Sequence, residues 1–284
     1  MKKIWALIFA ITLAGCNQTK KEERETTDVV EENKKLTPVE PDGGIGDGAV
    51  SIVDHYVQNI ENAHEKNAFL KHKAVSFNVN IIFGGKQHLN GKITMLTNSS
   101  KIRIDKKDES KLIYTGEKVF LCPEDANDKG ARFDMFTWTY FFGLPYKLSD
   151  PGTHLMPEDN RPLEGVDHRT ARLTFEDGTG DAPDDWYVLY TDPNKNSLKA
   201  AAYIVTYGSG EDISKAEADP HAIHYKDFKV IDGIPFATKW EFYGWTSEKG
   251  MTNQLGEASI TDITFLDEES EIFETPDNAK EIKL

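Results

Sequence analysis

The feature that most constrains the fold is a change of period. Ile52, Val53, Tyr56, Val57, Ile60 and Ala63 recur at the spacing of one helical face, with Asp54, Gln58, Glu61 and Glu65 on the other. Asp47 or Ser51 caps the start of this helix and Asn67 stops it. From Val75 the period drops to two: Val75, Phe77, Val79 and Ile81 alternate with Ser76, Asn78 and Asn80, the pattern of a half-buried strand. Gly84-Gly85 marks a turn, Leu89 to Thr97 the next strand, and Asn98-Ser99-Ser100 another turn before Ile102 and Ile104. Lys111 to Thr115 and Lys118 to Leu121 face each other across Gly116-Glu117. After a segment rich in Pro, Gly and Asp, strands resume at Arg169–Phe175, Trp186–Tyr190, Leu198–Tyr207, Ile223–Val230, Phe236–Tyr243 and Ala258–Phe265. The turns between them include Asp192-Pro193-Asn194-Lys195, where Pro fixes φ and the Asx side chains bond back to the backbone. Such a chain is mainly β, a meander of about ten antiparallel strands whose edges must be curled, covered or closed.

One segment breaks the alternation. Phe133, Met135, Phe136, Trp138, Tyr140, Phe141, Phe142, Leu144 and Tyr146 crowd together, and Gly143 and Pro145 end any helix there. Two readings follow: a core helix plugging one face of the sheet, or a helix lining or lidding an apolar cavity. Phe136, Trp138, Phe141 and Phe142 are the candidate cavity residues, expected on the concave side of a curved sheet.

The N-terminus carries a different signal. Lys2 and Lys3 precede an apolar run from Ile4 to Thr12, then Leu13-Ala14-Gly15-Cys16. A basic start, a short apolar core and small residues before a cleavage point describe an export signal; a membrane span needs about 20 apolar residues. The ending resembles the bacterial lipobox, which implies that Cys16 is acylated and becomes the mature N-terminus. Residues 17–48 are polar and charged, then rich in Gly and Pro, and bury too little apolar area to offset chain entropy. The expected organisation is a lipoprotein signal peptide over 1–15, a disordered tether over 16–48 and one β domain over 49–284.

Losing residues 1–15 removes Lys2 and Lys3 and moves the formal charge from −15 to −17. That acidity argues against nucleic acid as a partner and leaves membrane attachment to the acyl chains. With Cys16 acylated, Cys122 has no intramolecular partner and reads as a buried, inert thiol. His221 and His224 are the closest histidine pair, but residues three apart on a strand point to opposite faces. The acidic groups Asp181, Asp184, Asp185 and Asp267, Glu268, Glu269, Glu271 read as solvated surface. No zinc-protease, nucleophile-elbow or phosphate-loop motif is present. The chain is therefore expected to be no enzyme, with no metal and no cofactor.

The order of lipobox, tether, amphipathic helix and long antiparallel meander with an aromatic helical insertion resembles the LolA-like superfamily of lipoprotein carriers. Tyr140-Phe-Phe-Gly-Leu-Pro-Tyr-Lys-Leu-Ser-Asp-Pro-Gly152 and the stretch from Tyr225 to Trp245, with Asp232-Gly-Ile-Pro235 inside, resemble an uncharacterised outer-membrane lipoprotein family of Bacteroidota. The resemblance covers about residues 49–276. It implies a half-barrel sheet with helices on its concave side around a cavity for acyl chains. It implies an outer-membrane, lipid-anchored protein, periplasmic or surface-facing, that binds a lipid or other apolar ligand without catalysis. The alternative is a structural or interaction module of an outer-membrane assembly. Asn17 stands where an Asp would favour inner-membrane retention, and Lys21-Glu22-Glu23 resembles a surface-export signal.

Overall fold

The computed structural model describes residues 51–127, 129–210, 212–267 and 271–283. The signal peptide, Cys16 and the tether lie outside these residues, as do Glu268 and Glu269. The first element is helix α1 (Ile52–Ala63). Ser51 caps it: its hydroxyl accepts from the Asp54 N–H at 3.0 Å, and the Asp54 carboxylate accepts from the Ser51 N–H at 3.3 Å. A one-turn helix α2 (Lys66–Phe69) follows. Val57 and Ile60 face the core, whereas Ile52 at the first turn is 84% exposed. Glu61, expected on the solvent face, is buried because it has partners: it accepts from Lys66 Nζ at 2.8 Å and from the Ser149 N–H at 2.9 Å.

The remainder is one antiparallel sheet built from β1 (Ala74–Phe83), β2 (Lys86–Leu96), β3 (Ile102–Lys106), β4 (Lys111–Tyr114), β5 (Val119–Cys122), β6 (Thr153–Leu163), β7 (Val166–Phe175), β8 (Tyr187–Thr191), β9 (Leu198–Tyr203), β10 (His221–Ile231), β11 (Ile234–Thr246), β12 (Gly250–Leu266) and β13 (Lys280–Ile282). Helix α3 (Ala131–Gly143) is inserted between β5 and β6, and the short α4 (Ser214–Glu217) between β9 and β10. The strand order is β13-β5-β4-β3-β2-β1-β12-β11-β10-β9-β8-β7-β6. The first strand thus sits at the centre, paired to β2 on one side and to the long β12 on the other. Register irregularities in β1, β11 and β6 bend the sheet. The fold is the expected one, a curved, open antiparallel sheet with few helices.

Local chemistry sets the turns. Asp232 and Gly233 between β10 and β11 both have positive φ, at 50° and 81°, as a two-residue hairpin turn requires. Asp192 Oδ1 accepts from the N–H groups of Asn194 and Lys195, at 2.9 and 2.8 Å, as expected of an Asx turn. Two strands escape the periodicity. The segment read as a loop before Arg169 is β6, whose Pro157 and Pro162 are tolerated because it is an edge strand. β13 has only three residues, too few to carry a pattern.

The inward positions Val75, Phe77, Val79 and Ile81 of β1 are all buried in the main core, together with one face of α3. The outer face is partly covered too. Phe273 packs on Ala74 and Leu96, and Arg103 Nη1 donates to the Ile272 carbonyl at 2.8 Å. At the other end Trp245, Tyr190, Val188 and Leu163 form a second cluster, joined by a 2.8 Å bond from Trp245 Nε1 to Tyr190 Oη. Cys122 is buried, its thiol donating to Asn278 Oδ1 at 3.1 Å. No helix among the described residues is long and apolar enough to cross a membrane.

His64, at the end of α1, ties that helix to the sheet. Its Nε2 accepts the Leu198 N–H at 2.9 Å, so the ring is neutral in the folded protein. Burial, reinforced by the Lys199 ammonium, pushes its pKa down to about 4. A depressed histidine contributes stability that is complete above its unfolded pKa and is lost as the pH falls toward 4. His64→Gln, which cannot titrate, should flatten that loss. Between pH 8 and 4.5 the wild type should lose about 2–3 kcal/mol more unfolding free energy than the variant, measured by urea titration.

Candidate functional site: a cavity beside the aromatic helix

Helix α3 is apolar nearly all round, and its two flanks have different fates. On one flank Phe142 stacks on Phe77 with ring centroids 4.0 Å apart and on Phe236 at 5.5 Å. Only about 20 Å³ of free space remains there. Phe141 joins the same core, its carbonyl accepting from Tyr225 Oη at 2.9 Å. The start of the helix is held by charge. Asp134 is buried and accepts from Lys106 Nζ at 2.6 Å and Trp138 Nε1 at 3.0 Å, with His88 Nε2 at 3.3 Å. Burial alone would raise the Asp134 pKa; the His88 bond and the Lys106 charge outweigh it and hold it low.

On the other flank α3 stands clear of the sheet. A cavity of about 540 Å³ lies between Phe136, Tyr140 and Phe141 of the helix, Ile102 and Tyr114 of one sheet arm, and Phe175, Tyr187 and Tyr203 of the other. The size is that of a pocket for a small molecule or a single chain. Tyr114 meets Phe136 edge-on at 5.2 Å, Tyr140 lies 5.3 Å from Tyr187, and Tyr203 lies 4.7 Å from Phe141. Tyr140 Oη is buried with no hydrogen-bond partner among the described residues. Burial pushes the Tyr140 phenol pKa far up, and the Asp150 and Asp185 carboxylates add to this.

The polar groups gather at the margin. Arg132 Nε donates to both Asp181 oxygens, at 2.9 and 3.0 Å, and its guanidinium lies 5.1 Å from the Tyr207 ring centroid. Lys147 Nζ pairs with Asp150 Oδ2 at 2.7 Å. Asp185 Oδ1 accepts from both the N–H and the hydroxyl of Thr206 at 2.7 Å. Burial raises the Asp185 pKa to about 6; the Thr206 bonds oppose this, and the charges of Asp181 and Asp184 assist it.

Of the four residues singled out by sequence, Phe136 and Phe141 border this cavity. Trp138 borders instead a second hollow of about 430 Å³, with His88 and His221, which shares Phe133, Tyr203 and Val205 with the first. Phe142 lies in the filled core. Tyr187 and Tyr203 escaped notice because each reads as an ordinary inward strand residue, and the Tyr140 hydroxyl has no sequence signature. Asp185 was grouped with surface acids; Asp184 beside it is exposed, whereas Asp185 turns inward. His221 and His224 sit on opposite faces of β10, and among the described residues no group of three His, Cys, Asp or Glu side chains is placed to hold a metal.

Residues 92–232 match the model of a family of unknown function (DUF6503). A comparison with curated proteins finds no match. Among solved structures the chain is similar to a LolA superfamily protein from Nitrosomonas europaea, at 11% identity over 77% of this chain and 98% of that one, TM-score 0.49. It is similar to a domain named for outer-membrane lipoprotein sorting from Vibrio parahaemolyticus, at 11% identity over 76% and 97%, TM-score 0.45. A DUF1329 family protein from Desulfovibrio piger matches at 11% identity over 76% and 96%, TM-score 0.41.

The two flanks of α3 should respond differently to truncation. Phe142→Ala should cost about 3–5 kcal/mol, because the ring is stacked on both sides in a close-packed core. Phe136→Ala should cost about 1–2 kcal/mol, because one side of the ring already faces open space. Urea unfolding of the pair checks the contrast; equal losses would mean that the cavity wall is packed like the core.

Proposed function

We propose that this chain is a lipid-anchored envelope lipoprotein whose domain holds one lipid or other apolar ligand without chemical transformation. The observation that carries the reading is the cavity of about 540 Å³ beside α3, with aromatic rings on the helix and on both sheet arms. Phe136 and Phe141 form its helical wall, and Trp138 and Phe142 support that helix from the core. A chain meant only to be rigid would fill such a space with side chains. The anchor in this reading is Cys16, acylated after removal of residues 1–15, and the placement is the outer membrane. The acidic domain stays off anionic headgroups, so the acyl chains alone hold it to the bilayer.

Two experiments test this. The Cys16→Ser protein, purified without detergent and examined by native mass spectrometry, should carry a co-purified lipid or take up a fluorescent fatty-acid analogue. Thr137→Trp, which projects an indole from α3 into the cavity, should weaken that uptake at least tenfold with an unchanged thermal midpoint. A wild type that binds no apolar probe would leave an interaction module as the better reading. In cells, Cys16→Ser should move the protein from the membrane to the soluble fraction. Persistence on membranes after a high-salt wash would remove the acyl anchor from the account.

A further inference from the structure

The charged side chains lining the cavity do not balance. Five line it: Arg132, Lys147, Asp150, Asp181 and Asp185. Arg132 is engaged by both oxygens of Asp181, and Lys147 by Asp150. Each cation is thus already neutralised, and Asp185 is the acid left over. Its Oδ1 is saturated by the two Thr206 bonds, while no donor among the described residues reaches Oδ2. The lining therefore presents one carboxylate that no cation of the lining neutralises, with an oxygen that no donor among the described residues reaches.

On the reading that the cavity binds an amphiphile, we propose that it selects an uncharged polar head bearing a hydroxyl or amide, read by Asp185, and rejects a carboxylate head. A hydroxyl or amide can donate to Asp185 Oδ2 and brings no charge beside it. A fatty-acid carboxylate brings a second negative charge beside Asp185 and finds no free cation on the wall. The specificity comes from the repulsive element as much as from the attractive one.

The test is displacement of the uncharged probe N-phenyl-1-naphthylamine from the Cys16→Ser protein at pH 8, where Asp185 is ionised. 1-Palmitoylglycerol and palmitate carry the same chain and differ in the head. 1-Palmitoylglycerol should displace the probe at a concentration at least tenfold lower than palmitate. Asp185→Asn keeps the acceptor for Thr206 and removes the charge, so it should bring the two ligands within about threefold. Asp181→Asn should free Arg132 and improve palmitate selectively, a gain that a damaged fold would not give. Equal displacement by the two ligands, or a preference untouched by Asp185→Asn, would overturn the head-group assignment while leaving the cavity a lipid site. A protein that takes up neither probe nor ligand would remove the lipid-binding reading itself, and this assignment with it.

Discussion

The stack of Phe77, Phe142 and Phe236 is the contact on which the rest of the structure depends. It fixes α3 against the sheet along one flank, where Phe77 comes from the central strand β1 and Phe236 from β11. The Tyr225 bond to the Phe141 carbonyl and the Asp134–Lys106–His88 group fix the same helix near its two ends. A curved sheet of this size cannot fill its concave side with its own side chains. The inserted helix is the filler, and because it is clamped along one flank only, the opposite flank is left open. The cavity is a by-product of that asymmetry, and its walls are as rigid as the clamp.

The period-two segments carried most of the fold in plain view. β1 alternates cleanly enough to place Val75, Phe77, Val79 and Ile81 inward without a structure, and of the two candidate caps, Asp47 and Ser51, the second closes a capping box with Asp54. β6 was hidden because an edge strand need not alternate and can carry Pro157 and Pro162. Glu61 was misplaced because its partner Ser149 lies far along the chain, and long-range partners leave no local trace. The site was the least legible part. An apolar helix with no polar stripe gives no sign of which face is buried against protein and which against empty space. Phe142 and Phe136 are therefore indistinguishable in sequence, although one is core and the other is wall.

The sheet's open end shows how a long meander avoids edge-to-edge association. β6 is one of the two edge strands, and its C-terminal end approaches the β11–β12 hairpin: Arg161 Nη1 donates to the Ser247 carbonyl at 2.6 Å and its guanidinium lies 5.4 Å from the Trp245 ring centroid. Arg172 lies 4.4 Å from the centroid of Trp186, and Glu158 bonds both arginines. Two arginines thus cover the exposed side of the outer apolar cluster while keeping their charge near water. Charge and proline along the edge leave little that another strand could extend.

The costs carried by the structure fall unevenly, and where they fall supports the assignment of the site. A tyrosine hydroxyl without a partner, a carboxyl group pushed toward neutrality by burial, and an unfilled apolar volume each destabilise a fold. All three occur on the walls of one cavity, although Asn80 Oδ1, Arg161 Nε and Arg169 Nε are buried without partners elsewhere. The opposite flank of the same helix is packed to near completion, and the buried acids Asp134 and Glu61 elsewhere in the domain are fully engaged. A sequence free to optimise stability would place Phe or Leu at position 185 and extend the aromatic packing across the gap. Retaining an unneutralised acid and an open volume together is what a site for an amphiphile requires, because a donor for Asp185 and the missing apolar contacts can both be supplied by one molecule.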